Sequence, residues 1–394
     1  MDPLPLIGLV AALSLLALLW VRGKPDPDTR SLRPGLRAAR GPGHAAHART
    51  WPSTQEAASA PALAAVPETL PDPPASLREF QWHALESLPE ARRDWILAEL
   101  KHTPPPPRAF HQLVSPDFVA SASSAELAEL VIGVPLAATQ VLARVNSAFY
   151  GLQRPVGSLG HAITYLGLNT VRGICLQYML EASFSAGAAG MKQRFDQLWA
   201  ASAIGTEIGQ KLAQGLRLPD AGGLVTEIAL SSLGHFSAAI LMPREGTSAS
   251  NQSLLARTWA EQMQLGAPAA EIGALLMRAW ALPEALVEDV RAVDRMLVTP
   301  AGQLEPQRRL RLAVAYLSVR LGERLARGDA VKLGDLDASV LAGDDYFHLR
   351  ASLQADQRQA LQEALRAPDL ARSVQHMLAT LRDPPVNEGT TTVR

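Results

Sequence analysis

Between Arg144 and Arg172 two apolar patterns of helical period are interrupted by Gly151, Pro155 and Gly157. The stretch therefore reads as one helix ending, a turn, and two more helices beginning. Asn146-Ser147-Ala148-Phe149-Tyr150-Gly151 closes the first helix. In it, Asn146 and Ser147 are placed to cap backbone groups, Phe149 and Tyr150 to pack, and Gly151 to supply a left-handed turn. Ser158 can cap the second helix, whose Ala162, Ile163 and Leu166 share a face; Gly167 ends it, and Asn169 or Thr170 can cap the third. This is a helical hinge and not a catalytic loop.

The rest of the chain reads the same way. Ser123 and Glu126 have the spacing of a capping box before Leu127, Leu130 and Val131. Pro135 suits the first turn of the next helix. Met191 to Leu212, Leu224 to Leu241 and Pro306 to Arg327 carry apolar residues at helical spacing, and Phe80, Trp82, Leu85, Leu88, Trp95, Ile96 and Leu100 suggest one or two amphipathic helices before them. No strand-like alternation competes anywhere, so the predicted class is all-α. The single cysteine, Cys175, lies in an apolar helical pattern, excludes an intramolecular disulfide and reads as a buried structural thiol.

The Asn146–Gly151 run, followed by the Ala162-Ile163…Leu166-Gly167-Leu168-Asn169…Val171-Arg172 run, resembles the HDOD domain, an all-α bacterial signalling module related to HD-type metal phosphohydrolases. Gln262 to Gly273 and Trp280 to Glu284 resemble further segments of it, whereas Val134 stands where the family often has an aspartate. The resemblance implies a multi-helix fold and a role in signal transduction. It also says where a metal pair would stand. HD hydrolases hold one or two metal ions with histidines and aspartates, which activate water and neutralise a phosphoryl group. This chain contains no His-Asp dipeptide, and Ser231 and Ser232 occupy its place. Ala201 and Ala269 stand where histidines may survive, and Val293 and Asp294 where a late ligand would be. His235 reads as a histidine with a local hydrogen bond and Asp294 as a solvated helix-end charge. These positions predict no catalytic residue, no metal and no cofactor.

The ends of the chain differ in character. Residues 3–21 are free of charge and just long enough for a transmembrane helix, and Arg22, Lys24, Arg30, Arg33, Arg37 and Arg40 follow them. The positive-inside tendency puts the C-terminal part in the cytoplasm, at the inner membrane, and the basic linker is suited to anionic lipid. A cleaved signal peptide is the competing reading, but there is no basic n-region and no convincing cleavage site. Residues 22–75, rich in Pro, Ala and Arg, read as a disordered linker, in which His44 and His47 lack a third ligand. A helical lead-in over 76–103, the HDOD-like domain over 104–327, a helical extension over 328–382 and a frayed tail over 383–394 complete the division.

A formal net charge of −1 offers no global field for nucleic acid. Nor is there a nucleophile elbow or a phosphate-cradling glycine motif. The expected function is that of a membrane-tethered, non-catalytic signalling module acting on a partner protein, with homodimerisation open. A divergent metal-dependent phosphohydrolase, or a nucleotide-sensing pseudoenzyme, is the alternative.

Overall fold

The computed structural model describes residues 72–147, 150–185, 192–242, 253–329, 333, 341 and 343–382. The chain divides into Met1–Ala60 and Pro61–Arg394, and every described residue belongs to the second unit. The expected membrane helix over 3–21, most of the linker, Phe149 and the tail beyond 382 lie outside the described residues.

Among the described residues all regular structure is helical. A short helix α1 (Ala75–Arg78) and α2 (Glu90–Glu99) lead in. There follow α3 (Arg108–Val114), α4 (Pro116–Ser121), α5 (Ser124–Ile132), α6 (Pro135–Val145), α7 (Leu159–Leu166) and α8 (Leu168–Ser185). The long helices α9 (Lys192–Gly215) and α10 (Ala221–Leu241) come next, then α11 (Leu254–Leu265), α12 (Ala269–Ala279), α13 (Glu284–Arg295) and α14 (Pro306–Arg327). The C-terminal helices are α15 (Phe347–Ser352), α16 (Ala355–Leu365) and α17 (Pro368–Arg382).

Local chemistry accounts for the boundaries. Ser123 and Glu126 close a reciprocal capping box on α5, and Ser158 accepts from His161 N–H to start α7. Gly151 and Gly167 take positive φ, +56° and +88°, which a side chain would resist. Two expectations fail. Phe80 and Trp82 lie in irregular chain, because the Trp82 indole N–H donates to buried Glu271 at 2.6 Å and holds the segment extended. Asn169 and Thr170 sit inside α8, which begins directly after Gly167; Thr170 pairs instead with Gln210 of α9.

The core has two lobes. One gathers α3, α5 to α8, α12 and the C-terminal half of α10 around Phe110, Phe184 and Phe236. The other gathers α9, α14 and the C-terminal helices around Tyr316, Leu321 and Leu365. α10 joins them, contributing Leu224 and Ile228 to one and Leu230, Leu233 and Phe236 to the other. It is also long and apolar enough to cross a bilayer, but 89% of that window is buried in the domain. Two glycine contacts bring the central helices unusually close. A Cβ on Gly322 of α14 would run into Ala201 O and Gly205 N of α9, and one on Gly273 of α12 would lie 2.8 Å from Gly234 N of α10. Between these two crossings lies the place where the sequence located its missing metal pair.

Candidate functional site

Ser231 and Ser232 are buried on α10, and each hydroxyl donates to a carbonyl of its own helix, Ile228 O at 2.8 Å and Ala229 O at 2.7 Å. Such back-bonding satisfies a serine where no other partner is offered. Together with Ala201, Ser202, His235 and Glu323 they line a cavity of about 10 Å³, room for one water molecule. Ala269 is displaced from this cavity. It opens α12, with its carbonyl against Gly234 and its N–H donating to Glu261 at 2.8 Å.

Beside the cavity the chain buries a set of charges. His235 Nε2 lies 2.9 Å from Asp294 Oδ2, an ion-pair distance without hydrogen-bond alignment, and its Nδ1 has no hydrogen-bond partner. Arg320 Nη2 donates to Asp294 Oδ1 at 2.9 Å, and its Nη1 approaches Glu323 at 3.0 Å. Arg257 Nη2 donates to Glu323 at 2.9 Å, and its Nε is 3.9 Å from Glu261. Asp294 is therefore not the solvated helix-end charge that its sequence suggests, being only 3% exposed. The arginine that neutralises it arrives from α14, out of reach of any local pattern. His235 is a core histidine whose partner, Asp294, is still more distant in sequence.

Electrostatics follow from this arrangement. Burial alone would raise the Asp294 carboxyl, yet Arg320 and His235 beside it hold it well below the usual range. For Glu323 burial is likewise overcome by Arg257 and Arg320, and its pKa falls to about 2. Glu261 goes the other way: burial raises it, because His235 and Arg257 compensate only in part.

A divalent cation needs several oxygen or nitrogen lone pairs converging on one point. Here the hydroxyls face their own helix and the acids are engaged by guanidinium groups. Among the described residues no three His, Cys, Asp or Glu side chains are arranged to hold a metal. These residues do not fit the metal that an HD site would hold.

The motif around Asn146 is a brace. Asn146 donates to Val156 O at 2.9 Å and accepts from Val156 N–H at 2.7 Å, closing the turn across which Gly151 bends. It thereby bridges a loop and does not cap its own helix with its side chain. Ser147 Oγ has no hydrogen-bond partner and borders a cleft of about 390 Å³ between α6, α8, α9 and α17. Tyr150 packs edge-on against Tyr165, while Leu166 is half-buried at the core. In the cleft, Thr170 pairs with Gln210 and Gln177 with Thr206, so much of its hydrogen-bonding capacity is used between helices. Cys175 is buried as expected, and burial pushes its thiol up to about 12.

The sequence reading missed Arg257, Glu261, Arg320 and Glu323. Their signal was present: charges paired at i,i+4 on α11 and at i,i+3 on α14, the second set between the apolar Tyr316, Leu317, Leu321 and Leu325.

These helices, arranged about a central buried α10, define an all-α domain. Within it, residues 104–296 match the HDOD domain family. Among solved structures, an HDOD domain protein of unknown function from Geobacter sulfurreducens shares 17% identity at a TM-score of 0.50, covering 75% of this chain and 98% of that one. A candidate phosphohydrolase from Shewanella amazonensis SB2B shares 20% at 0.45, over 72% of this chain and 97% of its own. A candidate signal-transduction protein from Marinobacter aquaeolei VT8 shares 19% at 0.47, over 74% of this chain and 65% of its own. No curated protein matches the chain.

Proposed function

We propose that this chain is a non-catalytic signalling module, tethered to the inner membrane by residues 3–21, that works by binding another protein through its helical surface in the cytoplasm. The observation that carries the non-catalytic reading is the state of the site. Ser231 and Ser232 stand where metal ligands would, their hydroxyls face their own helix, and Arg257 and Arg320 supply the positive charge that an ion would otherwise bring. The cavity left is about 10 Å³, too small for a phosphoryl group. The tether rests on the uncharged run over 3–21 and the arginines that follow it. The match of residues 104–296 to the HDOD domain supports the signalling role that the resemblance implies.

Two measurements test this reading. Metal analysis and turnover assays on the purified full chain, with nucleotides and cyclic dinucleotides, are expected to give neither stoichiometric metal nor hydrolysis. Bound metal with turnover that disappears in His235→Ala would establish the hydrolase instead. In-cell crosslinking with mass spectrometry, comparing the full chain with one lacking residues 2–22, is expected to capture a partner that depends on the tether.

A further inference from the structure

α11 is built inside out. Glu261 is buried and Arg257 nearly so, both turned into the charge network, while Trp259 and Met263 are 58% and 64% exposed. Leu255, Trp259 and Met263 recur every four residues and share the outer face. With Phe80 and Ala260 they line an open groove of about 770 Å³, in which Glu79 is the only charged lining residue. Exposed tryptophan and methionine beside half-buried Phe80, on a face with one carboxylate, Glu79, have the composition of an interface core.

The two ends of the face carry opposite charge. At the N-terminal end Asp345 accepts from Leu254 and Leu255 N–H at 2.6 and 3.0 Å, and Asp344 sits beside Ser76. At the C-terminal end the Arg92 guanidinium donates to Leu265 O at 2.9 Å and to Gln264 O. We propose that this face binds a second copy of the same chain, with α11 antiparallel to α11 about a two-fold axis near Trp259. A two-fold interface must be self-complementary, and this one meets the condition. Antiparallel pairing lays the acidic end of each copy on the basic end of the other and opposes the helix dipoles favourably. Around Trp259 the face is apolar, with Glu79 as its one charged lining residue. An anionic lipid surface would be repelled by the acidic end.

Cysteine crosslinking of the full chain in native membranes tests the pairing. Buried Cys175 gives a silent background, and Ala260→Cys places a thiol beside the axis, where it meets its own symmetry mate. Oxidation is expected to give a covalent homodimer, abolished when Met263→Glu is added, whereas Gln359→Cys, at an exposed position of α16, is expected to give no covalent dimer. Purified full chain in mild detergent is expected to sediment as a dimer, and Trp259→Glu as a monomer that still unfolds in one cooperative transition. The proposal is overturned by any of three results: no dimer with Ala260→Cys, equal dimer at position 359, or a crosslinked product whose mass contains a different protein.

Discussion

At the scale of single residues, two buried arginines make opposite cases. Arg320 is paired with Asp294 and Glu323, so Arg320→Met leaves two buried carboxylates short of a cation and is expected to lower unfolding free energy by about 3–5 kcal/mol. Arg172 is fully buried, has no ion pair among the described residues, and burial lowers it to about 10. Holding its charge without a partner costs on the order of 3 kcal/mol at neutral pH. Its Nη2 bonds go to Gly222 O and Thr226 Oγ1, which already bond each other at 3.0 Å, so removal orphans neither. Arg172→Met is therefore expected to be neutral within about 1 kcal/mol or stabilising. Urea unfolding of both variants checks the contrast. The carboxylates set the pH dependence. The Arg291 hydrogen bond brings Glu86 to about 2, and Arg257 and Arg320 bring Glu323 to about 2, both from 4.5. A depressed acid stabilises the fold above its unfolded pKa and loses that contribution as pH falls through the folded one. The thermal midpoint is thus expected to fall between about pH 4.5 and pH 2, whereas Glu261, raised by burial, makes its opposite contribution above pH 4.5. Glu86 is 62% exposed, so added salt is expected to screen its share and leave that of Glu323.

At the scale of elements, the close helix crossings are the rigid part of the site. Gly322→Ala would drive a methyl into the backbone of α9 at Ala201 and Gly205, where nothing flexible can give way. It is expected to cost about 1–3 kcal/mol or more by overpacking, read from the urea midpoint, whereas Gly302→Ala, whose Cβ meets nothing within 4 Å, is expected to cost far less. How legible these elements were depends on the range of the interaction that fixes them. α14 was predicted over the residues it occupies, because Pro306 starts it and its apolar spacing and Gly328 end it locally. The capping box at Ser123 and the positive-φ turn at Gly151 were equally local. Phe80 and Trp82 were misread as helical because the partner that extends them, Glu271, lies on α12. The same holds for Asp294. Ser231 and Ser232 were readable one by one, but Arg257 and Arg320 of the neighbouring charge network come from α11 and α14 and become visible only when the helices converge.

At the scale of the whole molecule, the domain itself offers no exposed helix suited to a bilayer: among the described residues the one helix of sufficient length and apolarity is α10, and it is the centre of the fold. Membrane attachment, if the tether acts as proposed, therefore depends on residues 3–21 and the arginines behind them. Membrane insertion of an uncharged run of that length is resistant to salt and alkali, whereas lipid contact through arginines alone is screened within a Debye length and is released by salt. Fractionation separates the two. The full chain is expected to stay in the membrane pellet after washes with 1 M salt and alkaline carbonate, and the chain lacking residues 2–22 to be soluble with an unchanged unfolding midpoint. Protease added to intact spheroplasts is expected to leave the domain uncut, as the positive-inside arrangement requires. Release by salt alone would reduce the tether to its arginines, and cleavage in intact spheroplasts would reverse the orientation.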